Sequence, residues 1–298
     1  MCELDPQVDA LLGRMRAAGA PPVGELPAAE LRRNFAAAAP AAFGPSNPMA
    51  SEEDRETDRG TPVRIYRPLE TPDPAPALVY FHGGGWVVGN LDTHDGIVRS
   101  LAAGSGRVAV AVDYRLAPEH PFPAGIEDAT AATCWVIENA DELGVDPSRV
   151  AVGGDSSGGT LAAVVARRVP VERQALICPV LDHRFDTGSY ERFSDGYFLT
   201  RDAMRWYWAQ YLDGEDGTNP DASPLRATDF TDLPPAVILV AGCDPLRDEG
   251  VAYAAALERA DVPVTVLEYD GMIHNFIRFA GSVDRAIEAL AAVAAHLR

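Results

Sequence analysis

Residues 150–159 read Val-Ala-Val-Gly-Gly-Asp-Ser-Ser-Gly-Gly, an apolar run that ends in a serine set between glycines. Within it, Gly154-Asp155-Ser156-Ser157-Gly158 has the G-x-S-x-G spacing of a strand that turns abruptly into a helix and holds a serine hydroxyl at the strand's end. A side chain at either glycine would clash in so tight a turn, so the pattern constrains the backbone as well as the chemistry. It nominates Ser156 Oγ as a reactive atom. Such a hydroxyl needs a base to take its proton and donors for the oxyanion that its attack creates.

The strand-to-helix step recurs along the chain. Short apolar, β-branched runs at Val63–Tyr66, Ala77–Phe81, Val108–Val112, Val150–Val152, Ala175–Cys178, Ala236–Ala241 and Val264–Tyr269 are predicted strands. Several lack alternation, as strands buried on both faces do. Helical pattern falls between the later runs, at Pro123–Asn139, Ser157–Arg168 and Leu246–Ala260, and again at Val283–Leu297 behind a cap at Ser282. Alternation of this kind predicts a mostly parallel α/β sheet covered on both faces, with ligands beyond the carboxyl ends of its strands.

Two stretches interrupt the alternation. Residues 1–45 carry amphipathic helical pattern, and residues 184–226 hold Tyr190, Phe193, Tyr197, Phe198, Trp206, Tyr207, Trp208 and Tyr211. Thr200 is the expected N-cap of a helix from Arg201 to Leu212. Too many rings lie on that helix for one face to bury. The expectation from the rings is that 184–226 forms a cap closing over the active edge of the sheet.

A net charge of −19 argues against nucleic acid or an anionic membrane as partner. All 25 basic residues are arginine, which excludes a Schiff-base lysine, a phosphate-loop lysine and a Ser-Lys pair. Cys2, Cys134, Cys178 and Cys243 lack C-x-x-C spacing and are expected as free thiols, with no metal site. The acidic N-terminus and the lack of any ~20-residue apolar stretch give the expectation of a soluble cytoplasmic protein without a membrane span.

The remaining catalytic parts can be sought at the predicted strand ends. Tyr80-Phe81 leads into His82-Gly83-Gly84-Gly85-Trp86, where three glycines let bare amides approach an anion. A phosphate loop would need lysine and a different glycine spacing. Of the six histidines, His82 belongs to this loop and His296 to a helix end, while His94, His120 and His183 lie in loops. His274 directly follows the last strand, at the same edge as Ser156. The orienting acid should fall between them. Asp244 ends a strand, whereas its rival Asp248 suits the first turn of the next helix.

With these residues in hand, the chain resembles the bacterial hormone-sensitive-lipase-type esterases of the α/β-hydrolase fold. The resemblance runs through Leu4–Val8, His82–Trp86, Asp113–Glu119, Gly154–Gly159, Gly196–Thr200, Ala222–Leu225, Asp244–Glu249 and His274. It implies a sheet of about eight strands in a catalytic body of 46–183 and 227–298, a helical cap formed by 1–45 together with 184–226, and a serine carboxylesterase acting on short- to medium-chain acyl esters without a cofactor. Ser156, His274 and Asp244 would be nucleophile, base and acid. Gly83, Gly84 and Ser157 would supply the oxyanion hole, and His82 with Gly85 would support the loop. Members of the family include monomers and dimers paired through edge strands or late helices, which leaves a homodimer open. Relatives that only bind a small molecule, and amidases or peptidases, offer alternatives on the same fold; a retained His274 favours hydrolysis. Three departures stand out: Ser157 for alanine, which would bring a hydroxyl into the site; Asn275 for glycine, which could shift His274; and a short link at Val169–Arg173.

Overall fold

In the computed structural model, which describes residues 3–19 and 21–298, every run read as a strand joins one sheet. The strands are β1 (Ser51–Glu56), β2 (Pro62–Arg67), β3 (Ala75–Phe81), β4 (Val108–Val112), β5 (Val145–Asp155), β6 (Arg173–Ile177), β7 (Ala236–Cys243) and β8 (Val264–Ile273). They lie in the order β1-β2-β4-β3-β5-β6-β7-β8. β2 pairs antiparallel with β1 and β4, and all other pairs are parallel. β1 is the strand without a sequence signal. It reads Ser-Glu-Glu-Asp-Arg-Glu and is largely exposed, as a charged edge strand that resists further pairing should be.

The helices are α1 (Pro6–Ala18), α2 (Ala28–Phe43), α3 (Asp95–Ser105), α4 (Ala124–Glu138), α5 (Ala140–Leu143), α6 (Ser157–Arg168), α7 (Gly188–Arg192), α8 (Arg201–Leu212), α9 (Arg247–Arg259) and α10 (Arg285–His296). The pleat sends Val79 and Phe81 of β3 into one core with α4, α6 and α9. Leu78 and Tyr80 enter the other core, with α3 and α10. Thr200 does cap α8, its hydroxyl accepting from Ala203 N at 3.0 Å. Ser282 does not cap α10. It lies in a turn, its amide donating to Phe279 O, and Asp284 takes the cap position without a side-chain bond to the helix.

The cysteine expectation needs one correction. Cys134 and Cys178 are free, but Cys243, at the end of β7, is disulfide-bonded; Cys2 lies outside the described residues. The approach of the N-terminal segment to this edge, where Asp5 N donates to Gly271 O at 3.1 Å, was not legible from cysteine spacing. Among the described residues no helix is long and apolar enough to cross a membrane.

Candidate active site

Ser156 follows β5 directly, at φ 54° and ψ −119°, a conformation a side-chain-bearing residue holds only when its surroundings enforce it. The enforcement is steric. A Cβ on Gly154 would come within 2.3 Å of Gly158 O, and one on Gly158 within 1.9 Å of Phe81 O. The glycines therefore let the elbow fold onto itself and onto the end of β3.

Asp244 and His274 are brought together by register. Cys243 and Ile273 pair across β7 and β8, so the next residue of each parallel strand emerges beside the other. Ala241 pairs with Tyr269 but Cys243 with Ile273, so β8 carries two extra residues there, a bulge just before His274. The result is a continuous relay. His274 Nδ1 lies 2.8 Å from Asp244 Oδ2, and its Nε2 lies 3.0 Å from Ser156 Oγ. All three residues are buried. Asp244 Oδ1 also accepts from Leu246 N at 2.9 Å, which fixes the carboxylate while starting the turn into α9. Asp248 is elsewhere: it accepts from Ser189 N and pairs with Arg192 and Arg247.

The glycine loop corrects one expectation. Gly83 N donates to Asp155 Oδ1 at 3.1 Å, so this amide is committed to the protein rather than open to a ligand. The amides of Gly84, Gly85 and Ser157 have no such acceptor among the described residues. Gly85, expected only as support, thus presents a donor. His82 braces the loop: its Nδ1 lies 2.9 Å from Gly83 O and its ring stacks on Tyr114 at 4.4 Å. Burial, helped by His94, pulls its pKa to about 3, so it stays neutral and is unsuited to carry a proton.

Asp155 is the residue that the sequence reading passed over. Fully buried, it accepts from Tyr80 Oη, Gly83 N and Asn275 Nδ2, and lies 3.3 Å from His94 Nε2. Burial alone would raise its pKa; His94 and the hydrogen bonds outweigh burial and hold it well below the usual carboxylate range. One charge therefore joins the glycine loop, the elbow and the histidine loop. Its only signal was adjacency to Ser156.

Both side-chain departures find a place in this frame. Asn275 occupies the left-handed region, φ 52° and ψ 35°, which asparagine tolerates almost as glycine does, so the turn after His274 is kept. Ser157 Oγ does not enter the site. It is buried and accepts from Trp86 N at 3.2 Å, tying the elbow to the end of the glycine loop.

Cys178 Sγ, Asp244 and His274 offer ligand atoms within 4.8 Å of one another. Asp244 and His274 already bond each other, and burial keeps the thiol protonated, so the donors fit the relay better than a cation.

Above the loop lie α2 and α8. Arg32 of α2 donates to Val87 O and Ala117 O. Tyr211 of α8 stacks on Trp86 at 4.0 Å, and a Cβ on Gly85 would fall 2.3 Å from the Tyr207 ring.

Comparison with known proteins agrees with this architecture. A family profile described as alpha/beta hydrolase fold matches residues 78–278. The chain is 46% identical to Esterase LipI of Mycobacterium tuberculosis over 237 residues, 76% of this chain and 74% of that one. It is 42% identical to an ethyl acetate hydrolase of Pseudomonas putida, over 78% of this chain and 76% of the relative. An ester-hydrolase from the metagenome of Lake Arreo, solved with a bipyridine phosphonate derivative, superposes with a TM-score of 0.94 at 40% identity, covering 99% of this chain and 98% of that one. A thermostable esterase from Pseudomonas putida gives 0.92 at 36%, covering 99% and 97%. The chain therefore belongs to the alpha/beta hydrolases of hormone-sensitive-lipase type, and it is a serine carboxylesterase.

Proposed function

We propose that Ser156 is the nucleophile, His274 its general base, and Asp244 the acid that orients the imidazole and supports its positive charge. Ser156 Oγ attacks the ester carbonyl and passes its proton to His274 Nε2. The tetrahedral oxyanion rests on the amides of Gly84, Gly85 and Ser157. His274 then protonates the departing alcohol, and water repeats the sequence on the acyl-enzyme. The observation that carries this reading is the unbroken relay from Asp244 to Ser156, at 2.8 and 3.0 Å. No cofactor takes part in it.

Residues 1–45 and 184–226 act in this proposal as the cap on the body formed by 46–183 and 227–298. Support comes from Tyr207 and Tyr211 of α8 and Arg32 of α2, all anchored on the glycine loop. A roof of rings over a buried serine favours compact acyl groups of roughly four to eight carbons. Two chains are proposed to pair through β8 or α10, where Val266 and Ile287 are exposed. Sedimentation at working concentration tests that. A cytoplasmic location stands in tension with the disulfide at Cys243, because reducing compartments keep thiols free; fractionation with thiol trapping decides.

The test of the mechanism is Ser156→Ala and His274→Ala, each lowering kcat by roughly 10⁶-fold with the fold retained. Stoichiometric labelling of Ser156 by an organophosphate should disappear in both variants. Near wild-type turnover of a nitrophenyl ester by Ser156→Ala would overturn the assignment, and best turnover on long-chain triglycerides would overturn the size limit.

A further inference from the structure

We propose that Arg278 and Tyr207 form a carboxylate-binding subsite beside the triad, so that the preferred substrates are esters that also carry a free carboxylate. This rests on the esterase reading of Ser156 and adds a substrate class to it.

Arg278 stands four residues beyond His274, on the 3-10 turn Phe276–Phe279. Its guanidinium carbon lies 3.9 Å from the centroid of the Phe35 ring of α2, a cation–π contact that fixes the head group. Phe35 stacks in turn on His94 at 6.3 Å, and His94 reaches Asp155, next to Ser156. The guanidinium is thus packed between α2 and the turn that follows His274, at the end of a chain of contacts leading to Asp155.

What marks Arg278 is the lack of a partner. In a chain with 44 acidic residues, no carboxylate pairs with it among the described residues, and its Nε is buried without an acceptor. Asp155 acts on it through space but is already served by Tyr80, Gly83 and Asn275. Burial pulls its pKa down to about 10, which leaves it charged at neutral pH. Tyr207 is the second group. Its ring lies over Gly85, its hydroxyl makes no hydrogen bond among the described residues, and each of the two residues perturbs the other's titration. A buried, prepaid desolvation of this kind is relieved by an anionic ligand with hydrogen-bond acceptors, and a planar carboxylate matches the guanidinium fork.

The test compares kcat/KM within two matched pairs. 4-Nitrophenyl hydrogen adipate against 4-nitrophenyl hexanoate places the carboxylate on the acyl side. The hexanoyl ester of 3-hydroxypropanoate against propyl hexanoate, followed by pH-stat, places it on the alcohol side. In Arg278→Met the charged-to-neutral ratio should fall by about 10- to 100-fold in at least one pair, the scale of a charge-assisted hydrogen bond. Arg278→Lys should restore part of it, and Tyr207→Phe should lower it less. Ratios unchanged within about twofold in all three variants, or both members of each pair falling together, would overturn the subsite. Wild-type inactivity on the neutral esters would instead overturn the esterase reading.

Discussion

Asn275 provides a sharp test of how the site is held together. Its Nδ2 donates to Asp155 Oδ2, while its own Oδ1 is buried without a partner among the described residues, so the amide's orientation is set by the carboxylate it faces. Asn275→Gly removes this donor and leaves the backbone at ease, because glycine accepts φ 52° without cost. A hydrogen bond to a buried charge contributes about 1.5–3 kcal/mol. Unfolding entropy of ~2.1 cal/mol/K per residue over 298 residues gives about 0.6 kcal/mol/K, so the melting temperature should fall by about 2–5 °C. Asn275→Ala loses the same bond and adds a left-handed penalty of about 1–2 kcal/mol. Asn275→Asp sets a second carboxylate against Asp155 and should be the least stable of the three. Calorimetry in one buffer gives the ranking, and activity on a nitrophenyl ester reports on the relay, which does not pass through Asn275. A glycine variant melting within about 1 °C of wild type, or an aspartate variant no worse than glycine, would refute the role given to Asp155.

The other predictions follow from the same contacts. Asp244→Ala should lower kcat by roughly 10⁴-fold, whereas Asp248→Ala, bonded to Ser189 and two arginines, should stay within about tenfold of wild type; the reverse order in steady-state kinetics would mean that the wrong acid has been chosen. Ser157→Ala leaves Trp86 N–H buried without its acceptor and should cost about 1–3 kcal/mol in denaturant unfolding. Burial pushes Glu249 up to about 8, although Leu181 N and Asp182 N both donate to it. A folded-state pKa raised above the ordinary value stabilises fully below that ordinary value; the stability drains away as pH rises from there to about 8 and is gone above it. Glu249→Gln should therefore gain on wild type with rising pH, by several kcal/mol above pH ~8; a difference in melting temperature independent of pH would contradict it.

Much of this protein was settled by local sequence. Buried strands announce themselves through unbroken apolar runs, and α6 and α8 were bounded to the residue because a glycine elbow and the Thr200 cap fix where each starts. That Ser156, His274 and Asp244 would meet could be read from the sequence because strand ends of a parallel sheet share one edge, so chain order and element ends suffice to nominate them. β1 escaped because an exposed charged edge strand has no apolar pattern to read. Tertiary structure alone decided which amide of the glycine loop is free. Gly83 and Gly84 are indistinguishable as letters, and only the approach of Asp155 removes one of them from the donor set. The same holds for Ser157, whose hydroxyl turns to Trp86, for Cys243, and for Arg278, which takes its meaning from Phe35 and Tyr207 on helices remote in the chain. Backbone conformation follows from neighbours in sequence; the state of a polar atom is set by whichever groups the fold brings within about 3 Å of it.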